Sequence, residues 1–175
     1  MRIASTISDS IVDGPGLRFT VFTQGCAHAC PGCHNPETHD IAGGYEERVE
    51  TLAELMGSNP LTGGLTLSGG DPFLQAADCA ALAKIAHAQG KDVWTYTGYT
   101  WEAVLTAGRP DWRALLEETD VLVDGPFVRE KKSYAARFRG STNQRLIDVK
   151  KSLEAGSVVL WEQRDHLAHF TVPES

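Results

Sequence analysis

Three of the chain's four cysteines fall within eight residues, in Cys26-Ala27-His28-Ala29-Cys30-Pro31-Gly32-Cys33. No other stretch limits the fold as strongly. A spacing of C-x3-C-x2-C is too tight to spread over separate elements, so one loop must carry all three thiols. Gly25, Pro31 and Gly32 supply the punctuation of such a loop. Three is odd, so the thiols cannot all pair as disulfides. Thiolates this close can converge on one soft metal centre. The fourth, Cys79, lies far away beside Leu82 and Ala86 in a helical pattern, where a small buried core residue is the plain reading. The loop therefore offers three protein ligands. An iron–sulfur cluster held that way leaves one iron open.

Four chemistries compete for this loop. The first is a [4Fe-4S] cluster with an open iron. The second is structural zinc, with His28, His34 or His39 as fourth ligand. The third is covalent haem, because Cys30-Pro31-Gly32-Cys33-His34 matches C-x-x-C-H. The fourth is a thioredoxin-like dithiol in Cys30 and Cys33. Haem attachment needs export, and Met1 to Thr6 has no apolar signal core. The dithiol leaves Cys26 unexplained and wants a helix directly after the motif, which Asn35-Pro36 opposes.

A length of 175 residues predicts one domain over 1–175, with the cysteine loop at 25–35 and a stretch at 150–175 that has no assigned role. The net charge of -7 argues against non-specific nucleic-acid binding. No apolar run is long enough to span a membrane. With no secretory or lipidation signal, reduced cysteines point to the cytoplasm.

The periodicity alternates between two kinds of element. Residues 2–9 read as an edge strand, 17–23 as a β-branched and aromatic strand, and 46–56 as a helix with Val49, Leu52, Ala53 and Met56 at helical spacing. A short strand at 65–67 leads into Ser68-Gly69-Gly70-Asp71-Pro72. A helix over 73–88 follows, with Leu74, Ala77, Ala81, Ile85 and Ala88 on its expected apolar face. Strands are predicted at 92–97, 121–123 and 143–149, with helical turns at 100–107 and 111–118. Residues 127–140 read as a long basic loop, and 158–161 as one more strand. Strands alternating with helices predict an α/β fold with a mostly parallel sheet. Cys26 to Cys33, Ser68 to Asp71, Thr97-Gly98 and Asp124-Gly125 each follow a strand's C-terminal end, where ligands bind in such folds. A closed eight-stranded barrel needs about 250 residues, so an incomplete, open-sided barrel is expected.

Several stretches taken together resemble the radical S-adenosylmethionine (SAM) enzymes, and within them the activating proteins of anaerobic ribonucleoside-triphosphate reductase. They are Ile11 to Gly16, Gly25 to Asn35, Leu67 to Pro72, Thr97-Gly98-Tyr99, Val121 to Gly125 and Arg139-Gly140-Ser141-Thr142-Asn143-Gln144. The resemblance implies a [4Fe-4S] cluster on Cys26, Cys30 and Cys33, with SAM on the open iron. It implies Gly69, Gly70 and Asp71 near the methionine part of SAM, with the Gly70 carbonyl accepting from its ammonium. Gly32, Cys33 and His34 would line the adenine side, and Thr97 and Asp124 would meet ribose and methionine polar groups. No side chain is implied as a catalytic acid or base, because hydrogen abstraction by a radical is homolytic.

The implied partners are the large glycyl radical subunit of that reductase and a low-potential electron donor of the flavodoxin type. The rival functions are activation of another glycyl radical enzyme and a zinc-stabilised binding module without catalysis. Two positions depart from related patterns: Gly32 stands where many members carry an aromatic, and Pro126 where some carry lysine. Plain structural readings stand beside these. Asp71 fits a helix cap with Pro72 at the first helical position. Thr97 and Asp124-Gly125 fit turns, His28 and His39 read as bystanders, and Arg139 to Gln144 suggests no mechanism.

Overall fold

Runs such as Phe19-Thr20-Val21-Phe22 are apolar or β-branched at every position, as expected of a strand covered on both faces. A computed structural model, which describes residues 1–163, places them at the centre of one seven-stranded sheet. Its strands are β1 (Arg2–Ser10), β2 (Arg18–Thr23), β3 (Tyr45–Glu46), β4 (Gly64–Gly69), β5 (Asp92–Tyr96), β6 (Val121–Asp124) and β7 (Arg145–Asp148). The helices are α1 (Val49–Gly57), α2 (Ala76–Ala88), α3 (Trp101–Thr106), α4 (Pro110–Glu117) and α5 (Val149–Ala155). The order across the sheet is β3-β1-β2-β4-β5-β6-β7. β2, β4, β5 and β6 are parallel, while β1, β3 and β7 run antiparallel to their neighbours. The sheet is thus open and mostly parallel, with helices as connections.

Strand alternation sorts the side chains onto two faces. Phe19 and Val21 of β2, Leu65 and Leu67 of β4, Val93 and Leu122 form a core with Leu52 and Met56 of α1, Leu82 of α2 and Leu115 of α4. On the opposite face Trp94, Val121 and Val123 pack with Phe138, Leu146 and Trp161. The β1–β2 loop closes over the N-terminal end of that face, where Arg18 is buried. Its guanidinium donates to Thr66 Oγ1 at 2.7 Å, Asp92 Oδ1 at 2.9 Å, the Leu65 carbonyl at 2.8 Å and the Pro15 carbonyl at 3.1 Å.

The structure corrects several expectations. β1 is not an edge, because the two-residue β3 pairs with Arg2 and Ile3 outside it. α1 starts at Val49, since Tyr45 and Glu46 belong to that strand. The stretch 73–88 begins as a 3-10 turn over Pro72–Gln75 before α2. α2 buries Ala76, Cys79, Leu82, Ala83 and Ala86, not the face through Ala77, Ala81 and Ala88. The helix is alanine-rich all round, so periodicity offered two apolar faces; the one carrying the larger Leu82 turns inward. α5 went unpredicted, although Asp148 caps it by accepting from the Lys151 amide and Gly156 ends it in the left-handed conformation. Residues 158–161 run along the outer edge of β7. The Asp148 amide donates to the Val159 carbonyl at 2.9 Å, and the Trp161 amide to Leu146 at 2.8 Å. Of the stretch 150–175, residues 164–175 lie outside the described residues. Among the described residues no helix is long and apolar enough to cross a membrane.

Candidate functional site

Four parallel strands end on one edge of the sheet, and each hands over to a glycine-bearing loop: β2 to Gly25, β4 to Gly70, β5 to Gly98 and β6 to Gly125. Between these loops lies a cavity of about 660 Å³. Cys26, Cys30 and Cys33 line it together with Ser68, Gly69, Gly70, Thr97, Gly98 and Gly125. All three thiols are half-buried in its wall. Ile7, Phe22, Tyr96 and Phe138 extend it along the sheet face, and Lys132 and Tyr134 of the 126–144 loop reach it from the other side.

Main-chain bonds fasten the cysteine loop to the sheet. The Gly25 amide donates to the Thr38 carbonyl at 2.7 Å, and the Gly25 carbonyl accepts from the Asp71 amide at 2.8 Å. Gln24, buried at the end of β2, donates to the carbonyls of Glu37 and Asp40 and so pins the far limb of the loop. Gly70 passes so close to Gly25 that a Cβ at this position would run into the Gly25 carbonyl. Within the loop, the Cys33 amide closes a turn onto the Cys30 carbonyl at 3.1 Å.

Burial raises the Cys26 thiol pKa, and Asp71 and Cys30 add to that; the peptide N–H groups of His28 and Ala29 oppose it. Ala29 holds a left-handed φ of 46° to make this turn. The Asn35 amide donates to Cys33 Sγ at 3.4 Å. Three soft thiols on one cavity wall, with amides turned toward sulfur, fit a cluster whose irons each take one cysteine. Among the described residues no three His, Cys, Asp or Glu side chains are gathered as a single-ion site.

Asp71 is the most heavily engaged residue of the site. It is 1% exposed. Its Oδ1 accepts from the Phe73 amide at 3.0 Å, which makes it the cap that its sequence context predicts, with Pro72 following. The carboxylate also accepts from Thr97 Oγ1 at 2.9 and 3.0 Å and from the Gly98 amide at 3.0 Å, and it lies 2.7 Å from His28 Nε2. Thr97 lines the cavity, but its hydroxyl is directed at Asp71. Asp124 is buried outside the lining residues. It accepts from the Trp101 amide at 2.8 Å and from Arg145 Nε at 3.1 Å, so it holds the start of α3 and the β7 strand. These contacts with Asp124 and Glu102 raise the Arg145 pKa further, and Arg145 in turn lowers that of Glu102.

His34 lines the cavity with its ring 5.1 Å from Phe127, an aromatic that sequence reading did not single out. Gly32 is exposed, and the Arg129 guanidinium lies against it. Arg139 to Gln144 forms a clamp. Gln144 Oε1 accepts from the amides of Gly140 and Ser141, its Nε2 donates to the Gly125 carbonyl, and Asn143 donates to the Pro126 carbonyl. The motif thus ties both ends of the basic loop to the strand end of β6. His28 was expected to be idle and is not; its partner lies 43 residues away, and no local signal marks it.

Residues 12–147 match the model of the 4Fe-4S single cluster domain family. The chain is 39% identical over 152 residues to the anaerobic ribonucleoside-triphosphate reductase-activating protein of Salmonella typhimurium, covering 82% of this chain and 96% of that one. The Vibrio cholerae protein of the same name is 39% identical over 142 residues, covering 77% and 89%. The Enterobacteria phage T4 protein is 34% identical over 142 residues, covering 77% and 86%. With its three loop cysteines inside residues 12–147, the chain belongs to the 4Fe-4S single cluster domain family and to the family of anaerobic ribonucleoside-triphosphate reductase-activating proteins.

Proposed function

We propose that this protein is a radical SAM activating enzyme. It cleaves SAM reductively at a [4Fe-4S] cluster and generates a glycyl radical on anaerobic ribonucleoside-triphosphate reductase. One observation carries the reading: Cys26, Cys30 and Cys33 line the same cavity as the backbone of Gly69-Gly70 and Thr97-Gly98. The relatives' name supports the partner. When bound, the two groups supply a low-potential electron and a 5′-deoxyadenosyl radical able to take one Cα hydrogen from a glycine of the reductase.

Each residue has a modest task. The three thiolates bind the cluster, and the Asn35 amide donates to the sulfur of Cys33. Gly69 and Gly70 would present bare backbone to the methionine end of SAM, with the Gly70 carbonyl as acceptor for its ammonium. His34, beside Phe127, would take the adenine side, with Gly32 and Cys33 adjoining. Thr97, Asp71 and Asp124 hold the strand-end loops around these groups. No general base is required. The open sheet is the incomplete barrel of this enzyme class, one domain whose uncovered side admits a protein backbone. The electron comes from a flavodoxin-type donor in the cytoplasm.

The test is Cys30→Ala, prepared anaerobically beside the wild type. Loss of the cluster together with 5′-deoxyadenosine production from SAM is the expected result. Cleavage at the wild-type rate by the variant would overturn the assignment.

A further inference from the structure

Three loops that are remote in sequence meet at the Asp71 carboxylate. The β4 loop contributes the residue itself. The β5 loop contributes Thr97 Oγ1 and the Gly98 amide, at 2.9 and 3.0 Å. The cysteine loop contributes only one contact, His28 Nε2 at 2.7 Å. His28 sits midway between Cys26 and Cys30, so its position and theirs are set together. A carboxylate only accepts, so Nε2 carries the proton of this bond. The imidazole is also packed: its ring meets Tyr99 edge-on at 4.4 Å, and it fills the space where a Cβ on Gly98 would stand.

The bond joins the wall that carries the thiols to the wall that carries the bare glycine backbone. The main-chain bonds of Gly25 and Cys26, with the side chain of Gln24, fix the two ends of the cysteine loop, but none of them ties the stretch between Cys26 and Cys33 to the β4 and β5 ends. Between Cys26 and Cys33, His28 is the residue whose side chain reaches across the cavity to the β4 and β5 ends, among the described residues. A loop tethered only at its two ends can hold a cluster and still tilt it.

We propose that His28 is a positioning residue: through Asp71 it fixes the cysteine loop relative to the β4 and β5 ends, so that the cluster's open side faces the place where SAM is held. This rests on the reading of the site given above. It assigns His28 neither to the metal nor to proton transfer. The partner it needs is a hydrogen-bond acceptor, and packing alone does not replace it.

Two variants separate bond from packing. His28→Phe keeps a ring against Tyr99 and Gly98 but cannot reach Asp71 with a donor. His28→Gln loses the ring but offers an amide N–H to the same carboxylate. Each is reconstituted anaerobically beside the wild type. Iron and sulfide per chain are measured, and the EPR spectrum of the reduced cluster is recorded as SAM is added. The phenylalanine variant is expected to load iron and sulfide but to need on the order of 10–100 times more SAM for the same spectral change. The glutamine variant is expected to stay within a few-fold of wild type. The reverse order, or equal behaviour of wild type and His28→Phe, would overturn the proposal. Loss of the cluster from both variants alike would also overturn it, since the role would then be retention and not alignment. A wild type that loads a cluster but shows no spectral response to SAM would instead strike the cofactor reading itself.

Discussion

The sheet has a charged side chain sealed into each end, and the two do different work. At the N-terminal ends of the parallel strands stands Arg18, 1% exposed, and at the C-terminal ends Asp71, equally buried. Both collect partners from segments far apart in sequence. Arg18 draws in the β1–β2 loop, β4 and β5 through Pro15, Thr66, Leu65 and Asp92. Burial lowers its pKa and Asp92 opposes that, while Trp94 lies 5.6 Å beneath the guanidinium. Its partners belong to the sheet and to a turn, and none of those four is a cavity-lining residue. Asp71 draws in the cysteine loop and the β5 loop, and three of its partners, His28, Thr97 and Gly98, line the cavity. The same device therefore locks the fold at one end and gathers a site at the other. Burial alone does not tell a stabilising charge from a functional one; the identity of the partners does.

That contrast can be broken in three places. The largest effect is expected from Asp71→Ala, which leaves the Gly98 and Phe73 amides and the Thr97 hydroxyl without their acceptor. SAM cleavage should fall by about 100-fold or more, with a SAM-dependent EPR change that is lost or displaced. Activity near that of the wild type would show that the strand ends hold their positions unaided. Next comes Arg18→Met, which removes four hydrogen bonds from a dry site. Unfolding in urea should show a loss of about 3 kcal/mol, while the folded fraction loads its cluster and responds to SAM as before. If the arginine variant lost the SAM response as the aspartate variant does, the two ends would not be independent.

The smallest effect belongs to a third charged group, at the surface. His87 of α2 lies 3.0 Å from Glu118 and 2.8 Å from Asp120. Partial burial acts to lower its pKa, but the bonds to Asp120 and Glu118 outweigh it and the pKa is raised. A folded pKa above the unfolded one means stability that is fully present below the ordinary imidazole value of about 6.5 and lost as pH rises through the raised value. Wild type should therefore exceed His87→Gln in Tm by no more than about 3 °C at pH 6, with the gap closing toward pH 9. A gap that widened with pH would contradict this sign.

Much of this was legible in the chain itself. Four strands of the parallel set, and the loops at their C-terminal ends, followed from short β-branched runs ending at glycine. The three thiols, Gly69, Gly70 and Thr97 each follow a strand's C-terminal end in the sequence, and they line one cavity. The cap role of Asp71 was visible from Pro72. What could not be read were contacts between residues far apart in sequence: His28 with Asp71, and Arg18 with Thr66 and Asp92, separated by 43, 48 and 74 residues. β3 was invisible for another reason, since two residues carry no period and owe their extension to pairing with β1. α5 carries ordinary cap signals in Asp148 and Gly156, but its seven residues give little helical period to read between them. The inward face of α2 needed the shape of its neighbours, because an alanine-rich helix has no single apolar side.

The placement of the four thiols also decides how the bare polypeptide meets air. Cys79 is sealed within the core, and burial pushes its thiol well above the ordinary range, so it stays reduced and unreactive. The loop thiols stand half-open to solvent. Two of them can close on each other, and one is always left over. That remaining sulfur must climb the oxidation ladder or seek a thiol on another chain. Without iron, the arithmetic that suits the loop to a cluster makes it a cross-linker of its own kind, so handling in oxygen would join chains in disulfide-linked pairs.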